Sequence, residues 1–184
     1  MGAWGSGPFE NDDALDWADM FLGAPDGEGD AENEEAGKLA YLLGPLASIA
    51  KVAGEDEDSD DEEGEDAGEI EADLVSHAIA AAEVLAAMHG KPNDELAAAI
   101  KDVKKGDADA EEETSAHALA RWIIDENDDH RDVKETEALE IAVVAMKKVR
   151  DASELAALWD EAGGKDAKAW KAHMADLIKR LGGK

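Results

Sequence analysis

AIAAAEVLAAM, residues 78–88, is the stretch on which the fold turns: every position except Glu83 is apolar. A helix with no polar face cannot lie at the surface, so this segment belongs where other helices surround it. Its many alanines suit that place, because short side chains let neighbouring backbones approach closely. ALEIAVVAM, residues 138–146, has the same character with Glu140 as its single charge. Both segments are expected in the middle of the molecule.

Outward from these two, the pattern stays helical. Valine, isoleucine and threonine are sparse, and no alternating strand pattern with Asn-Gly or Asp-Gly turns is present. Helices are expected near 12–22, 32–53, 67–89, 93–104, 110–126, 133–149, 152–162 and 166–181. The fold class is therefore all-α, with residues 1–184 forming a single helical domain and no sheet beyond two short strands. A chain of this length buries roughly 70% of its unfolded surface, enough for one core. Several helix starts have a mechanism. Asp109 to Glu112 and Asp151 to Glu154 each place an acidic acceptor three residues before a Glu, a variant of the capping box. Gly163-Gly164 should end one helix and Asp166 cap the next. Gly44-Pro45 sits inside an apolar run and is expected to kink or split its helix. In the last helix Trp170, Met174, Leu177 and Leu181 form one stripe, with Lys168, Lys171 and Lys179 off it.

Charge is the second strong signal. The chain carries 18 basic and 47 acidic side chains, a net charge of −29. Residues 1–73 hold 24 of the acids against only Lys38 and Lys51. Such a field repels phosphates and anionic lipid, which excludes nucleic acid and membrane surfaces as expected partners and favours a basic protein. The acidity arises either as a binding surface or as an adaptation to a salt-rich habitat. Ten of the twelve residues in 55–66 are acidic, so the stretch 54–67 is expected to be a solvated, mobile loop. It is not a calcium loop, because Asp61 stands where a glycine is needed and Ala67 where a bidentate Glu belongs. There are no cysteines, no apolar run of membrane-spanning length and no leader pattern, so a cytoplasmic location is expected.

Motifs for chemistry are few. There is no nucleophile elbow, no phosphate-binding glycine loop and no paired-histidine metal motif, so no cofactor and no catalytic residue is assigned. The five histidines are scattered; Glu113 with His117, and Asp73 with His77, are single helical pairs of the kind that chance supplies in an acidic chain. The match of Gly2 and Ser6 to a myristoylation pattern is followed by acid rather than by a polybasic stretch. Asn11, Asp12, Asp13 and Asp16 read first as a helix N-terminus, where acids cap free amides and complement the dipole. The alternative joins Asp12, Asp13 and Asp16 with Glu83 in a divalent-cation site.

MGAWGSGPFENDDALDW (1–17), AIAAAEVLAA (78–87) and SELAALWDEAGG (153–164) with a following Trp170 resemble, in that order, a bacterial family known as domain of unknown function 4259. The resemblance implies a small bacterial cytoplasmic protein and transfers no activity. The acid-rich stretches at 54–66 and 106–113 depart from it. Within the resembling motifs, Trp4, Phe9, Asn11, Trp17, Glu83, Glu154 and Trp159 are structural candidates, and Trp4, Trp17 and Trp159 are expected to be buried.

Glu83 poses the sharpest question, because an unpaired charge in an apolar helix is too costly to persist. Residues 74–90 contain no Lys or Arg. The expected partners are backbone N–H groups of residues 2–10, or an indole N–H there. The functional expectation is a non-enzymatic helical interaction module with a strongly acidic surface. The alternative is a metal-binding protein or metal-dependent enzyme using the carboxylates above. Oligomeric state is left open. Deleting residues 55–66 is expected to preserve the helical circular dichroism signal and to raise the melting temperature at low salt, by relieving like-charge repulsion. A large fall in melting temperature on deletion would contradict this.

Overall fold

The computed structural model describes residues 7–25, 29–30, 35–52, 70–106, 114–125 and 135–183. The acidic stretch 54–67, Trp4 and the expected cap at 109–112 lie outside them. The fold is all-α. Its described elements are α1 (Asp12–Gly23), β1 (Gly29–Asp30), β2 (Glu35–Ala36), α2 (Lys38–Val52), α3 (Ala72–Met88), α4 (Asp94–Lys105), α5 (Ser115–Asp125), α6 (Glu135–Ala152), α7 (Glu154–Ala162) and α8 (Gly164–Arg180). The two short strands pair antiparallel and shorten the helix expected over 32–53 at its start.

Buried side chains of all eight described helices join in one cluster. α3 is its axis, with every residue from Ala78 to Ala87 buried and α1, α2, α5, α6, α7 and α8 packed around it. α6 contacts α2, α3, α7 and α8 but is enclosed less completely. Its inner face buries Ala138, Ala142, Ala145, Met146 and Val149, while Val144 on the far side is 43% exposed.

Local chemistry explains the helix ends. Asn11 Oδ1 accepts from the Ala14 N–H at 2.7 Å, capping α1, and Asp12 and Asp13 occupy its first turn, where negative charge complements the dipole. α1 then buries Trp17 and Phe21, whose rings stack at 5.1 Å, and Trp122 meets Phe21 edge-on at 4.7 Å. The Trp17 indole N–H reaches the Tyr41 carbonyl of α2 at 3.2 Å, so its one polar atom is satisfied inside the core. α2 is not split at Pro45; it runs through and buries Leu42, Leu46 and Ile49 along one face. Burial of that stripe against α3 and α6 offsets the hydrogen bond that proline removes.

The junction of α6 and α7 differs from the sequence expectation. α6 continues to Ala152, and the cap of α7 is Ser153 rather than Asp151. Ser153 Oγ accepts from the Ala156 N–H at 3.1 Å and donates to the Val149 carbonyl at 2.6 Å. Asp151 turns outward and takes the Arg150 guanidinium in a bidentate pair, both bonds 2.7 Å. Glu154 serves a different helix. Its Oε2 accepts from the Ala72 N–H at 3.2 Å, supplying the cap that Glu71 does not give α3. Alongside, Ile70 bridges Ser153 in parallel register, and Lys148 Nζ donates to the Ala50 carbonyl at the end of α2. Gly163 and Gly164, at φ +63° and +71°, make the tight passage into α8, which a side chain would strain. Gly163 itself is the cap residue, and Asp166 sits inside the first turn.

The tryptophans rank clearly. Trp17 and Trp170 are buried and Trp159 is partly buried. Trp17→Ala is expected to cost about 3–5 kcal/mol in urea unfolding, and Trp159→Ala distinctly less. Equal losses for the two would contradict the packing described.

Candidate binding cleft

Glu83 is fully buried on α3, and the group that neutralises it comes from the other end of the chain. Arg180, in the last turn of α8, grips it in a fork: Nη2 to Oε1 at 2.6 Å and Nη1 to Oε2 at 2.8 Å. The same guanidinium bonds Asp176 Oδ2 through Nε at 2.6 Å and the Lys91 carbonyl at 3.2 Å. The expectation places the donors in residues 2–10; among the described residues 7–10 none bonds Glu83, and residues 2–6 lie outside the described residues. Glu83's own helix offers no base, yet the apolar stripe of α8 carries Arg180 to it across 97 residues of sequence. Charge-assisted forked bonds are stronger than single neutral ones, which suits a site from which water is excluded. Burial works against the Arg180 charge, but its hydrogen bonds and attraction to Glu83 and Asp176 outweigh that and hold its pKa above the ordinary value.

The N-terminal loop does lie close by, as a wall. The Gly7 N–H donates to Glu10 Oε2 at 2.6 Å and the Glu10 N–H to the Gly7 carbonyl at 3.3 Å, closing a tight turn. Gly7, Pro8 and Glu10 face the start of α4 (Pro92, Asn93, Asp94 and Glu95) and the α8 residues His173, Asp176 and Arg180. Together they enclose a cleft of about 590 Å³. Asn93 caps α4 by accepting the Leu96 N–H at 2.8 Å, while its Nδ2 is buried without a hydrogen-bond partner. His173 Nε2 lies 3.3 Å from Glu83 Oε1, within ion-pair range but without hydrogen-bond geometry.

Two groups in the cleft are displaced from their ordinary titration. Enclosure at the cleft wall, then the charges of Glu10 and Glu83, raises the pKa of Glu95. Burial lowers that of His173; Arg180 reinforces the shift, while Glu83, Asp176 and Glu10 oppose it. Perturbed titratable groups facing a common space are a mark of functional sites, although structural ion pairs produce them too.

The residues singled out from sequence are dispersed. Asp12 and Asp16 are exposed and Asp13 partly buried on α1, none of them lining the cleft, and Glu83 is occupied by Arg180. Among the described residues no group of three histidines or acids is arranged to hold a metal ion. Phe9 and Trp17 are buried, Asn11 caps α1, and Glu154 caps α3. Sequence reasoning missed Glu10, Asn93, Asp94, Glu95, His173, Asp176 and Arg180. A signal existed for the last three: they share one side of α8 at spacings of three and four, beside the apolar stripe.

Residues 2–40 match the family model described as Domain of unknown function (DUF4259). Over this stretch, and not over the rest of its 184 residues, the chain is similar to that family. Within the matched stretch lie Gly7, Pro8 and Glu10 of the cleft wall and the whole of α1, including Asn11 and Trp17. The later motifs at 78–87 and 153–164 fall outside it. Neither the comparison with curated proteins nor that with solved structures returned a match. Among the described residues, no helix is long and apolar enough to cross a membrane.

Arg180→Met is expected to destabilise by about 3–5 kcal/mol, because it leaves a buried carboxylate unpaired. The double variant Glu83→Leu/Arg180→Met should recover much of that loss, measured as a double-mutant cycle in urea. A pH effect follows from Glu95. Its raised pKa means the folded state holds this proton more tightly than the unfolded chain. The contribution is therefore complete at pH below the unfolded value and lost as pH rises through the folded one. Glu95→Gln should raise the melting temperature at pH 7 and have less effect at pH 4; the reverse order would contradict this.

Proposed function

We propose that this protein is a non-enzymatic helical interaction module whose acidic surface receives a basic partner, with a cationic side chain of that partner seated in the cleft. One observation supports this most: Glu10, Asp94, Glu95 and Asp176 line the cleft, and the one Arg lining it, Arg180, is already held by Glu83 and Asp176. Among the described lining residues that negative charge is uncompensated. The wider field of −29 would draw a basic partner in from a distance, raising the rate of encounter more than the final affinity. At the cleft, an ammonium or guanidinium group would offset the repulsion from Glu10 and Glu83 that adds to burial in raising the Glu95 pKa. No arrangement among the described residues favours the metal-dependent alternative.

Binding of a fluorescent lysine-rich peptide tests the proposal. Affinity is expected to fall steeply between about 20 and 200 mM salt, within the range where screening removes exposed-charge attraction. The triple variant Glu10→Gln/Asp94→Asn/Glu95→Gln is expected to bind about tenfold more weakly, as roughly 0.5 kcal/mol per rim charge implies. Undiminished binding by the triple variant would remove the cleft from the proposal, and no binding at low salt would overturn it. A melting temperature that responds to manganese or magnesium but not to equivalent sodium chloride would instead favour a metal site.

A further inference from the structure

His173 stands where α8 is tied to α3. Its side chain is 18% exposed, and its Nε2 lies 3.3 Å from Glu83 Oε1. That oxygen already accepts from Arg180 Nη2 at 2.6 Å. The imidazole nitrogen is itself buried and has no hydrogen-bond partner. One buried carboxylate oxygen, next to two residues of the cleft wall, therefore has a permanent cation bound to it and a titratable nitrogen waiting beside it.

We propose that His173 is a proton-operated release for the end of α8: once protonated, its imidazolium competes with Arg180 for Glu83 Oε1 and the tie between α8 and α3 loosens. The inference is independent of what the cleft binds. The charged groups that act on the ring or share its cleft are Glu83 from α3, Glu10 from the N-terminal loop, Asp94 and Glu95 from α4, and Asp176 and Arg180 from α8 itself. The carboxylates attract a proton to the ring, whereas burial, the largest effect, and Arg180 oppose it, leaving the His173 pKa below its ordinary value. The folded protein thus holds this proton less tightly than the unfolded chain does. Stability from the site is complete above the unfolded pKa of about 6.5 and declines as pH falls toward the folded value. Glu95 acts with the opposite sign at lower pH, since its raised pKa favours the folded state as it protonates.

Amide hydrogen exchange of residues 174–183, corrected for intrinsic rates, tests this in the full chain between pH 7.5 and 5.0. In the wild type, protection of these amides relative to those of α1 is expected to fall below pH 6.5, at a limiting slope of about tenfold per pH unit for one proton. In His173→Gln, which cannot titrate, the ratio is expected to stay level across the range. Parallel profiles for the two proteins would overturn the proposal. Should the variant not fold, the wild type decides by itself. Nuclear magnetic resonance titration of the His173 ring must give a midpoint below 6.5, at the pH where the loss of protection levels off. A midpoint at or above the ordinary histidine value, or exchange that ignores the ring, would equally overturn it.

Discussion

A charge in the middle of an alanine-rich helix constrains everything packed around it. α3 has no polar face, so wherever it is buried Glu83 is buried with it, and some element must arrive carrying a cation. Arg180 does so with a forked pair that leaves neither carboxylate oxygen without a donor. A pair of this kind adds little net stability over an apolar filling of the same shape, but it penalises other arrangements. If α8 slid by one turn, its apolar stripe would still meet α3, while a carboxylate and a guanidinium would be left apart and desolvated. Apolar packing brings the helix to the core and the ion pair fixes its register.

The cleft follows from that register. Once Arg180 is at Glu83, Asp176 and His173 are carried to the same side of α8, facing the N-terminal turn and the start of α4. The Gly7–Glu10 turn and the Asn93 cap are local structures that each segment forms for its own reasons. Their meeting is what gathers the carboxylates. Negative charge gathers here, because the one Arg among the described lining residues has been consumed by the fold. At the opposite end of α3, single side chains again join separate elements. Glu154, at the start of α7, caps α3, and Ser153 both caps α7 and closes the end of α6.

Much of the helical framework was legible from periodicity. The helices expected near 12–22, 93–104 and 152–162 agree with α1, α4 and α7 to within two residues at each end, since their caps and breakers act over a few residues. Misreadings arose where a tertiary contact chose between local options. Asp151 and Ser153 were both competent to cap α7, and Ser153 does so while its hydroxyl also reaches Val149. Pro45 is a helix breaker in isolation, but three buried side chains on α2 hold its helix together.

Class and central problem are both written in the order of residues. An all-α chain, an axis at residues 78–88, a strongly negative surface and a buried carboxylate in need of a partner all follow from it, because composition and periodicity act within a single helix. Which group answers Glu83 depends on the assembled fold. Arg180 is 97 residues away, and nothing in a one-dimensional pattern tells one base on an amphipathic helix from another. The cleft has the same origin. Its walls come from three separated segments, and long-range proximity is set by how buried faces fit together rather than by any of the segments alone.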